Sequence, residues 1–516
     1  MPLDLYKDRQ LDLDAMVTSA YPLEGIDQGY QDMRDRKTFA ASSSCSFCSA
    51  RGGVARRGSQ RGSRRTATRL VVLGPWWHLD AARMIGGMSS NGETITTEAF
   101  PLGGSHLIAV ARSHQPWFDR RYEMAAYWIF AAYAIAVVLL AGGQDVIWAA
   151  WAAPAYAVAA VAVTWSRSWG VAALTAVFAV AVPLLVMMAQ GGELAAGMTV
   201  IDRSATLLIR DGTPYLPSGQ LSSWLAYNPY LPAMALFGLP SAIGLQGAPG
   251  DPRVWLVLVT VTGIAAALSL GVPHSVRDCA GCRRTLLRSI AFATACPAVA
   301  LNLAVTTTDP PVLALMLLAI ALLNFPERLW PAAVALGLAC AMKPTAWLAI
   351  PVLAAMLRYR YGTWAAARFT AISVAVFLVI TLPVMLADPV AMAQNTVLFP
   401  LGLTAHLTPA QSLTPGDLLA RTGPVGHDLS VGLLVVVGVA VAVLLLIRPP
   451  RSPRAAAWWL AIGLALMFAL GPDERFGYFI YPLGLVGWLA LTRPAKQNAA
   501  PVPVELKNRT ARPHSA

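Results

Sequence analysis

The stretch AAYWIFAAYAIAVVLLAGGQDVIWAAWAAPAYAVAAVAVTWSRSWGVAALTAVFAVAVPLLVMMAQ, residues 125–190, decides the fold. Its only charges, Asp145 and Arg167, fall in the gaps between three uncharged blocks at 125–142, 146–165 and 170–189. A bilayer core about 30 Å thick is crossed by roughly 20 apolar residues in a helix. Apolar blocks of that length, with charge confined to the gaps, are the pattern of a polytopic membrane protein. The pattern continues down the chain at 254–271, 289–305, 312–325, 329–342, 345–357, 369–387, 429–447, 455–471 and 476–492. Twelve blocks predict an all-α integral membrane protein of about 12 transmembrane helices.

Composition agrees. Of 516 residues 56% are hydrophobic and 13% charged, about half the charge of a typical soluble domain. Mean hydropathy is +0.55. These values exclude a disordered or collagen-like chain and disfavour an ordinary soluble enzyme. Six cysteines in this length exclude a disulfide scaffold. Cys45 and Cys48, and Cys279 and Cys282, form two C-x-x-C pairs without ribbon spacing, and read as reduced thiols rather than a zinc site.

The net charge of +12 is explained by basic loops on the cytoplasmic face, with no nucleic-acid partner required. With the N-terminus inside, the inner loops hold Arg167, Arg283, Arg284, Arg288, Arg328, Arg358, Arg360, Arg368, Arg448, Arg451 and Arg454. The outer segments hold fewer, among them Arg203, Arg210, Lys343 and Arg475. An even span count places both termini in the cytoplasm of a plasma-membrane protein. One apolar stretch, 228–247, must then not span. Its Pro229, Pro232 and Pro240 suit an interfacial or re-entrant segment instead. Residues 1–120 carry a Ser/Gly/Arg-rich run without apolar periodicity and read as a poorly structured cytoplasmic extension. The membrane domain is assigned to 121–495 and a cytoplasmic tail to 496–516.

Two long outer loops, about 190–228 and 388–428, are the natural place for chemistry. Asp202 follows an apolar lead-in and precedes a short amphipathic pattern. A carboxylate near the membrane surface suits proton transfer, and the same spacing equally fits a solvated or helix-capping acid. Lys343 lies between two short apolar blocks, where an ionisable group is a functional candidate or a snorkelling side chain. Arg475 sits in GPDERFGYFIYPL, where it can grip a phosphate or pair with Asp473 and Glu474. Asp309, in TTTDPP, reads as a helix-initiating turn or a polar site residue. The second loop holds Gln394, Asn395, His406, Asp417, Arg421 and His427, which can hydrogen-bond sugar hydroxyls or simply be solvated.

The string D-x-x-A-x-x-L-x-x-x-G-x-P-Y from Asp202 to Tyr215, followed by Tyr227-Asn-Pro-Tyr-Leu-Pro232, resembles the first extracytoplasmic loop of GT-C glycosyltransferases. More narrowly, it is similar to the glycosyltransferase 87 family, the polyprenol-phosphate-mannose-dependent α-mannosyltransferases of actinobacteria. Asp202 matches the acid of that loop, and Gly212, Pro214 and Tyr215 match its turn. Tyr227, Pro229 and Leu231 fall at its Tyr-Pro-Pro-Leu element, with Asn228 and Tyr230 interrupting the double proline. GLACAMKPTAWLAIPVLA, 337–354, places Lys343 at the family's Lys-x-x-Pro. The resemblance covers about 170–490.

It implies a GT-C-like fold and an inverting transfer of one sugar, mannose in the family, from a polyprenyl-phosphate donor. The acceptor would be a lipid-linked or cell-envelope glycan on the outer face. In this reading Asp202 is the general base, and Lys343 and Arg475 bind the donor phosphate. Tyr215, Tyr227, Asp309 and His406 contact substrate. No cofactor or divalent metal is needed, since Arg and Lys can hold a lipid monophosphate. Membrane lipids are the other partners. The alternative is a secondary transporter or a lipid or polyprenyl-sugar flippase, disfavoured by the absence of recognisable repeats.

Overall fold

The computed structural model describes residues 19–22, 40–44, 70–73, 119–190, 196–271, 280–401, 403–406, 412, 414–472 and 475–492. The chain divides into two units, Met1–Ser105 and His106–Ala516. Of the first, only β1 (Ser19–Pro22), β2 (Ala40–Ser44) and β3 (Leu70–Leu73) are described. They form a sheet in the order β1-β2-β3, parallel between the first two and antiparallel between the last two. The expected poorly structured extension, the cytoplasmic tail and the C-x-x-C side chains otherwise lie outside the described residues.

Among the described residues from 119 to 492 every regular element is helical. Among the described residues seven helices are long and apolar enough to cross a membrane. They are α1 (Arg120–Leu140), α2 (Gln144–Trp165), α3 (Trp169–Ala189), α5 (Pro252–Gly271), α11 (Thr363–Ala387), α12 (Pro424–Ile447) and α13 (Pro453–Leu470). An eighth span results if α6 (Ala280–Ala295) and α7 (Pro297–Ala304), bent by 65° at their junction, are counted as one. Pro297 has no N–H to continue the ladder. The carbonyl of Ala295, stranded beside the bend, accepts from the Tyr156 hydroxyl at 2.6 Å.

All twelve apolar blocks fall on helices, but twelve is not the number of full-length spans. Four of these helices are too short: α8 (Asp309–Leu322), α9 (Leu329–Met342), α10 (Ala349–Tyr361) and α14 (Ile480–Leu491) have 14, 14, 13 and 12 residues. At 1.5 Å per residue they reach about 20 Å. In α8 and α9 the apolarity has another cause, burial in protein. A helix that is hydrophobic all round belongs in a core. Twelve of the fourteen residues of α8 are buried. It packs against α5, α7, α9, α13 and α14. A Cβ on Gly263 would lie 2.9 Å from Ala314, and one on Gly484 would lie still closer to Leu313, so small residues bring α5 and α14 onto α8.

The stretch 228–247 does not span. It forms a 3-10 segment, Pro232–Gly238, and a single helical turn, Leu239–Ala242. Six of the seven residues of the 3-10 segment are buried. It packs against α4 (Ala196–Asp211), α5, α9 and α11. This part of the stretch is embedded in protein, while Ile243 and Leu245 beyond it are exposed.

At the N-terminal end of α1, Glu123 is 3% exposed and accepts from Arg288 Nε at 3.0 Å and Arg167 Nε at 3.5 Å. This buried cluster joins α1 to α6 and to the α2–α3 turn, and compensates a charge that would otherwise be costly there.

Candidate active site

Lys343 is positioned by the residue that follows it. A residue before proline is driven out of the helical region, and Lys343 is extended at φ −152°, ψ 137°. Helix α9 therefore stops at Met342. Its last carbonyl is taken by the backbone N–H of Leu231 at 3.0 Å, which docks the 228–238 segment onto the helix end.

Asp309 arrives from the other side. The α7–α8 turn carries Thr306 at φ 63°, a costly conformation for a β-branched residue. The Thr307 hydroxyl donates to Asn302 Oδ1 at 2.7 Å and holds the turn. Asp309 then opens α8 followed by two prolines, the helix-initiating turn expected from the sequence. It is also part of the site. Its Oδ1 lies 2.5 Å from Lys343 Nζ and accepts from the Tyr481 hydroxyl at 2.8 Å. The Lys343 ammonium faces the ring of Tyr478 at 4.6 Å and that of Tyr230 at 6.0 Å, both within cation–π reach.

Lys343 lines a cavity of about 530 Å³. Arg475, which is exposed, lines the same cavity. Among the described residues Arg475 pairs with no carboxylate; Asp473 and Glu474 lie outside them. The rest of the lining is largely apolar and aromatic, including Trp224, Trp347, Phe377, Met392, Val397 and Phe399. Both long loops contribute to this lining, and they are fastened together. Asn228 N–H donates to Asn395 Oδ1 at 2.7 Å, and Ser218 donates to Gln394 Oε1 at 2.7 Å. Tyr227 stacks on Phe399 with centroids 4.4 Å apart and planes 6° apart. The His406 ring stands edge-on to Tyr227, with centroids 6.5 Å apart.

Four residues expected from the sequence thus converge: Lys343, Asp309, Arg475 and Tyr227. His406 touches the cluster through Tyr227 without lining the cavity. Tyr215 is 1% exposed and donates to the carbonyl of Tyr230 at 3.0 Å, so it buttresses the wall. Burial pushes its hydroxyl above the ordinary phenol range. Asp202 is not brought in. Ala196, Gly197 and Val200 of α4 line the cavity. At about 100° per residue Asp202 falls on the opposite side of that helix. Its Cα lies 3.2 Å from where a Cβ on Gly238 would sit, against the 3-10 segment. No carboxylate is among the residues lining the cavity. Among the described residues no group of three or more His, Cys, Asp or Glu side chains gathers as a metal site would.

Tyr478 and Tyr481 were hidden in an apolar block. Three residues apart, they share one side of a helical stretch, and that spacing beside Arg475 was the available signal.

This geometry can be set beside known families. Residues 228–472 match Glycosyltransferase family 87. The resemblance expected from the sequence is borne out over that range. No curated protein and no solved structure matches the chain. The glycosyltransferase 87 match contains Tyr230, Asp309 and Lys343; Asp202, Tyr215, Tyr227 and Arg475 lie outside it. It begins at the buried segment that docks onto Lys343's helix and ends just before Arg475. Together with seven or eight membrane-length helices, the match supports a membrane glycosyltransferase.

Proposed function

We propose that this protein transfers a sugar, mannose by family resemblance, from a polyprenyl-phosphate donor to a lipid-linked or envelope glycan acceptor at the outer face of the plasma membrane. The observation that carries this reading is the make-up of the cavity lining, in which two cationic residues, Lys343 and Arg475, stand among mostly apolar and aromatic side chains. A phosphodiester attached to an isoprenoid chain matches both parts of that lining.

In the proposed reaction the acceptor hydroxyl oxygen attacks the anomeric carbon. The bond from that carbon to the phosphate oxygen breaks, and configuration inverts. Polyprenyl phosphate leaves with the bonding electrons and one more negative charge than it had as a diester. Preorganised cations stabilise charge that develops in this way. The acceptor proton must go to a base. Asp202 carries that role by family resemblance. Its place on the far side of α4 from the cavity makes this the part of the mechanism most exposed to test.

The experiment is transfer from radiolabelled polyprenyl-phosphate mannose in proteoliposomes. Label should pass to acceptor with equimolar release of polyprenyl phosphate. Asp202→Asn retaining full transfer would remove Asp202 from the mechanism. Accumulation of an unaltered solute without release would favour a transporter.

A further inference from the structure

We infer that Asp309 and Tyr481 are positioning residues that aim the Lys343 ammonium into the cavity and set the charge it presents there; this rests on the phosphate-binding reading of Lys343. A lysine ammonium is a point charge on a flexible four-carbon stem, without the rigid fork of arginine. Something must fix its direction. Here one donor direction is taken by Asp309 Oδ1 at 2.5 Å. The tyrosine rings 478 and 230 flank the ammonium. The lysine side chain is 12% exposed, and it borders the cavity. Asp309 is itself 4% exposed and Tyr481 is fully buried. The Tyr481 hydroxyl donates at 2.8 Å to the same Oδ1 that meets the ammonium, and so holds that oxygen in place.

The arrangement has a consequence for charge. Lys343, Asp309 and Arg475 together present one net positive charge. That matches the single charge of a sugar phosphodiester. As the leaving phosphate gains its second charge, the ammonium can strengthen its bond to phosphate. The Tyr481 hydroxyl remains on the carboxylate and keeps it satisfied. Without Asp309 the site would carry two net positive charges and favour the dianionic product.

Asp309→Asn keeps the shape and an acceptor oxygen while removing the charge. Per folded enzyme, kcat should fall about tenfold or more, the scale of a hydrogen bond to a charged group. Polyprenyl phosphate should bind several-fold more tightly as a product inhibitor. Tyr481→Phe should lower kcat by a smaller factor, and its product affinity should change little. It serves as the second variant if Asp309→Asn does not fold. A merely structural ion pair would lower the thermal midpoint while leaving kcat and product affinity per folded enzyme unchanged. That result would overturn the inference. If wild-type protein fails to bind polyprenyl phosphate at all, the phosphate-binding reading itself falls. If it binds and Lys343→Met does not, with Asp309→Asn unchanged from wild type, only the positioning role falls.

Discussion

Lys343 is the residue on which the site turns, and it was conspicuous in the sequence as a charge between apolar blocks. Replacing it by methionine keeps the length and removes the charge. Removal of one preorganised donor costs about 10²-fold in catalysis. We expect kcat/KM for the lipid-phosphate donor to fall by about that factor in Lys343→Met. Arg475 is exposed, and exposed charges are worth less because solvent screens them. Arg475→Ala should cost about tenfold, appearing in donor KM and growing smaller as salt is raised. Initial rates over a range of donor concentrations measure both. Asp309 was visible as a helix start and as a candidate substrate contact. The sequence contains no sign that it meets a lysine 34 residues away. Tyr481 was invisible, because a tyrosine in an apolar block reads as an interfacial anchor. Asp202 shows the converse. Its spacing to Gly212, Pro214 and Tyr215 was legible, while the face of α4 it occupies was not.

Among elements, α8 and α9 show what hydropathy can and cannot tell. Lipid and protein interior are both apolar, so a buried helix and a spanning helix look alike in composition. Length separates them, and the 14-residue α8 and α9 are core helices. Their tight packing gives a test. A Cβ at Gly337 would lie 2.7 Å from the Ser373 carbonyl oxygen and 2.7 Å from Val376 Cβ on α11. The first contact is backbone and cannot rotate away. Gly→Ala inside a helix gains about 1 kcal/mol of propensity, but overpacking of this kind costs roughly 1–3 kcal/mol. Gly337→Ala should therefore lower the thermal unfolding midpoint in detergent. A raised midpoint would mean that α9 and α11 separate more easily than this contact allows. The buried 3-10 segment was partly legible too. Three prolines ruled out a span, but nothing local revealed that it is wrapped by four helices.

For the whole molecule, the scarce charges are the informative ones. The basic residues cluster in the loops expected inside, and the two long loops that meet at the cavity are expected on the other face. Single cysteines can test this in a background freed of the native thiols. Ser222→Cys, in the first long loop, should react with a membrane-impermeant thiol reagent in intact cells. Thr363→Cys, beside Arg358 and Arg360, should react only after permeabilisation. The reverse pattern would invert the topology. The helical class and the family over 228–472 were readable from the order of motifs. The number of full spans was not, because it depends on which apolar helices are shielded by others.

The central claim is that the cavity bordered by Lys343 and Arg475 uses a polyprenyl-phosphate sugar. Purified protein in proteoliposomes, given radiolabelled polyprenyl-phosphate mannose and a glycolipid acceptor, tests it most directly. The account predicts acceptor labelling with matched release of polyprenyl phosphate, reduced about 10²-fold in Lys343→Met. Release by wild type no greater than by Lys343→Met would contradict it.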